Sequence, residues 1–162
     1  YGIDATPLAM TRAISVVANR GKMPKTRFLL SDEVAEVPII GNSKVLRDYL
    51  KYTAREHDGF QWEAIGGKTG TPERAIETKT TKRKLKDGSY ETKTDVTAKG
   101  NDGWYICFID DANIASKDNT TTSPLAIAIR MERLGKDDMS GNAVRLMKNV
   151  VKETLRDCEY IK

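Results

Sequence analysis

The chain has 162 residues, 39% of them hydrophobic and 31% charged, with a formal net charge of +4. That length suffices for one domain with its own core, and the composition excludes disordered, collagen-like and disulfide-scaffold classes. No run approaches the ~18 apolar residues that a membrane helix requires, and no aromatic ladder accompanies the positive charges, which argues against nucleic-acid binding.

In chain order, the first element is a helix from Pro7 to about Arg20. Thr6 is a good N-cap, Pro7 fits the first helical position, and Gly21 fits the position just past the end. Leu8, Thr11, Ile14 and Ala18 fall on one face, with Val17 beside them. Residues 23–41 read as irregular, because Pro24 and Pro38 interrupt them. A second helix begins near Ser43 and ends before Gly59, with Val45, Leu46, Tyr49, Leu50 and Thr53 as its expected buried stripe. A strand is predicted over 62–71.

A polar hairpin is predicted over 76–98. Asp87-Gly88 stands between two Thr-rich arms, Glu77-Thr78-Lys79-Thr80 and Glu91-Thr92-Lys93-Thr94. A two-residue turn there puts Leu85 opposite Tyr90 and Lys84 opposite Glu91. The hairpin carries Lys79, Lys82, Arg83, Lys84, Lys86 and Lys93 and is expected to project into solvent as a solvated ribbon.

The strand predicted over 103–109 is apolar on both faces: Trp104, Ile106 and Phe108 point one way, Tyr105, Cys107 and Ile109 the other. A strand buried on both sides requires helices on both faces of its sheet, so the fold class is α+β. Residues 114–123 form a polar loop in which Asn119-Thr120-Thr121 formally matches a glycosylation sequon and reads as loop composition. A strand follows over 125–131. The last element is a helix over 141–157 with Ala143, Val144, Met147, Val150, Val151, Thr154 and Leu155 as its apolar stripe. Two buried free thiols are the default reading of Cys107 and Cys158, and a disulfide between them is not derivable from the sequence.

The stretch that carries chemistry is Gly66-Gly67-Lys68-Thr69-Gly70-Thr71, after the predicted strand and before Pro72. A phosphate-binding loop would need a glycine at the position of Trp62 and a helix afterwards, which Gly70 and Pro72 block. A lone lysine on an exposed strand is the bland reading of the triplet. Three other segments weigh against it, in fixed order. The chain opens Tyr1-Gly2-Ile3-Asp4-Ala5-Thr6-Pro7-Leu8-Ala9-Met10, Asp102-Gly103-Trp104-Tyr105-Ile106-Cys107-Phe108-Ile109 follows the Lys-Thr-Gly triplet, and Pro124-Leu125-Ala126-Ile127-Ala128-Ile129-Arg130 comes last.

Together these resemble the back portion of the transpeptidase domain of penicillin-binding proteins, over nearly the whole chain. The family's signatures are Ser-x-x-Lys, Ser-x-Asn and Lys-Thr-Gly. Lys68-Thr69-Gly70 matches the third; Thr6-Pro7-Leu8-Ala9-Met10 is similar to the family's Thr-Pro-Leu-Gln-Met, with Ala9 in place of glutamine. None of the serines (15, 31, 43, 89, 116, 123, 140) has lysine three residues on, so the nucleophile is expected upstream of Tyr1. Ser140-Gly141-Asn142 matches Ser-x-Asn only in the wrong order and reads as a helix cap. His57 reads as a surface histidine.

The resemblance implies an antiparallel sheet flanked by helices, two of whose five strands come from before this chain. An open sheet edge or exposed apolar face should remain where the upstream half packs. It implies D,D-transpeptidation of D-Ala-D-Ala stem peptides through a serine acyl-enzyme, with β-lactams as inhibitors. Lys68 would favour the substrate carboxylate, Thr69 and Thr71 would hydrogen-bond it, and Gly70 would leave room for substrate along the strand edge. The Thr71 N–H would be one oxyanion donor; Gly67 is read as a packing glycine. No metal or cofactor is expected, and the location would be extracytoplasmic, anchored by a segment before Tyr1. A β-lactam sensor or inactive module on the same fold is the first alternative; a β-lactamase or D,D-carboxypeptidase is the second. For the hairpin, the alternative to a solvated ribbon is a flap beside the site that touches cell-wall polymer.

Overall fold

The computed structural model describes residues 5–27, 29, 31–33, 35–110, 124–134 and 141–157. Three helices pack on an antiparallel sheet, in agreement with the α+β expectation. Ser140, Cys158 and the loop over 114–123 lie outside the described residues.

Helix α1 spans Pro7–Ala18. The Thr6 hydroxyl accepts from the Ala9 N–H at 3.1 Å, and Pro7 starts the helix without losing a bond. The helix ends two residues before the expected Arg20, because Arg20 (φ 54°) and Gly21 (φ 95°) both turn left-handed. A Cβ on Gly21 would lie 2.0 Å from the Ile40 carbonyl oxygen, so this close approach requires glycine. Ile14, Val16, Val17 and Ala18 are buried, while Leu8 is exposed. The segment read as irregular contains a small antiparallel pair, β1 (Lys22–Pro24) and β2 (Glu36–Pro38), whose prolines stand at strand ends.

Helix α2 spans Lys44–Glu56. Its buried residues are Leu50, Thr53 and Ala54, not the broader stripe expected from sequence. Val45 is 75%, Tyr49 57% and Leu46 40% exposed. The helix lies beside one sheet strand and offers it a single row of side chains. The adjacent row, Val45, Tyr49 and Tyr52, points away from the sheet.

The main sheet contains β3 (Ile65–Gly70), β4 (Glu73–Lys84), β5 (Tyr90–Ile109) and β6 (Leu125–Leu134). The 20-residue β5 is central; β3 and β4 follow each other along one side of it and β6 occupies the other. Gly70 opposes Trp104 and Glu73 opposes Asn101, and the Asp102 N–H donates to the Pro72 carbonyl at 3.1 Å. Thus β3, Thr71-Pro72 and the start of β4 form one arm in a single register. Irregularities between Ala75, Glu77 and Thr78 cancel, and the same register resumes out to Lys84 opposite Tyr90.

The hairpin loop differs from the expected two-residue turn. The Leu85 N–H donates to the Ser89 carbonyl at 2.8 Å, and the Gly88 N–H to the Leu85 carbonyl at 3.1 Å. This three-residue loop needs only Gly88 (φ 88°) to be left-handed, whereas the two-residue turn would also force Asp87 there. The Asp87 carboxylate instead accepts from the Ser89 N–H and hydroxyl at 2.9 and 2.6 Å. Arg83, not Lys84, therefore faces Glu91.

The expected strand over 62–71 is shorter, and begins at Ile65. Trp62 closes a turn whose carbonyl accepts from the Ile65 N–H at 3.2 Å, and Phe60 stacks on Tyr105 with ring centroids 5.5 Å apart. The two faces of β5 are divided as its alternation requires. Phe108 packs with Ile14, Val17, Ala18 and Leu50 of α1 and α2. Tyr105, Cys107 and Ile109 pack with Ala143, Met147, Val151 and Leu155 of helix α3, Gly141–Asp157. Among the described residues β6 pairs only with β5, so its other edge carries no strand. No described helix is long and apolar enough to cross a membrane.

Candidate functional site

The sequence places its chemistry on β3, and the packing along β3 changes abruptly there. Ile65, Gly66 and Gly67 are buried; Lys68 is exposed, Thr69 and Gly70 half-buried, and Thr71 exposed just past the strand end. The buried half is fixed by two glycines. A Cβ on Gly66 would lie 2.4 Å from Phe108 Cζ and 3.2 Å from the Lys51 backbone nitrogen. On Gly67 it would lie 2.5 Å from the Tyr105 hydroxyl oxygen, which supports the packing role expected for that glycine. Real Cβ atoms do not approach so closely, so α2 and the two rings of β5 sit where only a bare backbone lets them.

Helix α2 also binds the strand by a hydrogen bond. The buried Thr53 hydroxyl donates to the Gly67 carbonyl at 3.0 Å and lies 3.0 Å from the Leu50 carbonyl. The Gly67 carbonyl therefore points away from β5. In an antiparallel ladder the N–H and C=O of one residue face the same side and alternate along the strand. Thr69 repeats the outward orientation, since its carbonyl accepts from Lys68 Nζ at 3.0 Å. By the same alternation the N–H groups of Thr69 and Thr71 face the outer edge. Lys68 Nζ also lies 3.1 Å from the Thr69 hydroxyl, so the ammonium, that hydroxyl and the outward N–H groups share one stretch of edge.

Gly70 stands opposite Trp104, and a Cβ there would lie 3.3 Å from Trp104 Cβ. The Arg130 guanidinium sits 5.4 Å from the Trp104 ring centroid and pairs with the buried Asp102 carboxylate at 2.6 Å. This pair fixes β6 against β5 beside the strand end.

Sequence reasoning missed the ion cluster that ties α2 to the sheet. The Asp110 carboxylate, at the end of β5, lies 2.5 Å from an Arg47 nitrogen and 2.7 Å from Lys51 Nζ. Arg47 also donates to the Val17 and Ala18 carbonyls at 3.2 and 2.7 Å, and so satisfies the C-terminus of α1. The available signal was the four-residue spacing of Arg47 and Lys51, which puts two cations on one helix face. On the opposite face of the sheet the Tyr105 hydroxyl donates to Asp58 at 2.8 Å, and burial first, then this bond, pushes its pKa up. Burial pushes the Cys107 thiol up to about 12, and its sulfur lies 3.5 Å from that of Met147. His57 is exposed, with its ring edge-on to Tyr52 at 5.9 Å.

Comparisons with protein-family models, with curated proteins and with solved structures find no match to this chain.

Proposed function

We propose that the chain is the C-terminal portion of a penicillin-binding D,D-transpeptidase domain, and that the edge from Lys68 to Thr71 binds the substrate's carboxylate end. One observation carries the reading: Lys-Thr-Gly-Thr lies at the open end of a strand whose outer edge brings the Lys68 ammonium onto the Thr69 carbonyl and hydroxyl. An extended peptide laid along such an edge gains main-chain hydrogen bonds, and its terminal carboxylate meets a positive charge. The exposed row on α2 and the edge of β6 that pairs with no described strand are where an upstream half of the domain would pack.

In this reading a serine upstream of Tyr1 attacks the penultimate D-Ala carbonyl. The carbonyl electron pair moves onto oxygen, where the Thr71 N–H and a donor from the upstream half hold the charge. Collapse of that intermediate expels D-Ala, whose nitrogen takes up a proton, and leaves an acyl-enzyme. An amine of a second stem peptide then displaces the serine and forms the cross-link. Lys68 holds positive potential over the carboxylate until the terminal D-Ala, which carries it, departs. The reaction places the parent protein outside the cytoplasmic membrane, anchored by a segment before Tyr1.

The test is incubation of the full-length parent protein with a fluorescent penicillin, followed by denaturing electrophoresis. The expected result is a covalent label that unlabelled penicillin competes away and that Lys68→Ala strongly reduces, whereas the 162-residue chain alone stays unlabelled. A parent protein that binds penicillin only reversibly would favour the sensor alternative. One that does not bind it at all would overturn the assignment.

A further inference from the structure

We propose that one face of the β4–β5 ribbon docks an anionic polysaccharide. The register sorts the ribbon's side chains into two unlike faces. Thr78, Thr80, Lys82 and Lys84 of β4 share a face with Val96, Thr94, Thr92 and Tyr90 of β5, and the Thr80 and Thr94 hydroxyls meet across it at 3.3 Å. Along these eight positions that face carries no carboxylate; the first one, Glu77, stands at its inner end opposite Ala98. The other face carries Lys79, Thr81 and Arg83 opposite Asp95, Lys93 and Glu91, and there Lys93 pairs with Asp95 at 3.0 Å. Its charges largely cancel.

Between Glu73 and Asn101 eight lysines and arginines stand against five aspartates and glutamates, a surplus of three of the chain's four net positive charges. Nothing in the core needs that surplus, since residues 77–97 are exposed on both faces. Two lysines two positions apart on one strand face repel each other unless an anion lies over them. The four threonines offer hydroxyl donors and acceptors at three of the four pairs, and Tyr90, 66% exposed, offers an amphipathic ring at the far end. At its other end the face runs into a cavity of about 560 Å³ lined by Glu73, Val96, Thr97, Ala98, Lys99, Gly100 and Asn101. A hydroxyl-rich, acid-free stripe with spaced cations complements a sugar polymer bearing carboxylates or other anionic groups. A single strand of nucleic acid would call instead for successive aromatic rings, and this face has one. The proposal is independent of the transpeptidase reading and holds for the chain by itself.

The experiment uses the 162-residue chain and polygalacturonate, with neutral dextran and a mixed-sequence single-stranded oligonucleotide as comparators, read by affinity electrophoresis and titration calorimetry. Two double variants remove the same charge from opposite faces: K82Q/K84Q and K79Q/K93Q. Circular dichroism checks that both are folded. Polygalacturonate is expected to bind, more weakly as salt rises, and neutral dextran to leave mobility unchanged. K82Q/K84Q should lose affinity by about tenfold or more and K79Q/K93Q by less than about threefold, because only the first pair faces the polymer without carboxylates beside it. Absence of polygalacturonate binding, equal losses in the two double variants, retardation by neutral dextran, or tighter binding of the oligonucleotide would each overturn the proposal.

Discussion

Replacing Gly66 by alanine tests whether the candidate edge is held by steric fit. A Cβ there would lie 2.4 and 2.5 Å from two carbons of the Phe108 ring and 3.2 Å from the Lys51 nitrogen. Carbon pairs prefer about 3.5–4.0 Å, so more than about 1 Å of movement is needed. Phe108 is fully buried against α1 and α2, and the obstacle on the helix side is backbone, so neither neighbour gives way easily. Overpacking of this kind costs about 1–3 kcal/mol, against which alanine gains about 0.4–1 kcal/mol from the less flexible unfolded chain. The net loss should lie between about 0 and 2.6 kcal/mol, or up to roughly 10 °C in melting temperature for a domain of this size, and Gly66→Ala should be less stable than Gly41→Ala. Gly41→Ala is the internal control: nothing lies within 4 Å of its Cβ, and the change should be neutral or stabilising by up to about 1 kcal/mol. Urea denaturation of the three proteins, with midpoints compared at a common slope, gives the difference. If Gly66→Ala were as stable as Gly41→Ala, Phe108 would have room to move and the account of how β3 is seated would be wrong.

Further outcomes are expected at four residues. Thr53→Val keeps the shape but leaves the Gly67 carbonyl without its 3.0 Å donor, and should cost about 1–3 kcal/mol in urea denaturation; no loss would mean that water or another group replaces the hydroxyl. Asp110→Asn leaves Arg47 and Lys51 without their carboxylate, and should lower stability by about 3–5 kcal/mol, with Arg47→Met/Asp110→Leu recovering much of it. In a Cys158→Ser background the thiol at Cys107, whose pKa is raised to about 12, should react with iodoacetamide only at the rate of unfolding. Because the unfolded thiol ionises near pH 8.5 and the folded one does not, stability should be complete below that pH and fall above it, with a slope approaching ~1.4 kcal/mol per pH unit that Cys107→Ala removes. In the full-length parent protein, Thr71→Ser should acylate with penicillin nearly as fast as wild type and Thr71→Val about ten- to a hundredfold slower; equal rates would exclude a hydroxyl contact to the carboxylate.

Much of the fold is legible in the sequence because hydrophobic period and element type coincide. The alternation over 103–109 assigns Phe108 and Tyr105 to opposite faces, and helix α3 has the bounds its stripe predicts. What is not legible depends on neighbours that sequence does not name. The row of Val45 and Tyr49 reads as core because it is apolar, but whether a helix buries one row or two depends on what it lies against. The one-residue shift in the hairpin follows from Ser89 bonding to Asp87, a local competition that the Asp-Gly signal does not record. For the candidate edge, residue types were legible while orientation was not. The outward direction of the Thr71 N–H follows from the Thr53 bond to Gly67, fourteen residues away.

The unbroken register of the long hairpin also governs how its length can vary. Gly70 opposes Trp104 at the base and Lys84 opposes Tyr90 at the tip, in the same frame. Removing equal numbers of residues from β4 and the outer part of β5 would therefore bring the loop closer to the core without altering which residues meet inside it. An unequal deletion would have to be absorbed by the loop or by the irregularity near Glu77. Failing that, β3 would slide against β5, and one step would turn Lys68 from the exposed face of its strand to the side now held by Gly67, beneath the Tyr105 ring. The register thus lets the ribbon lengthen or shorten without moving its base, as long as both arms change together.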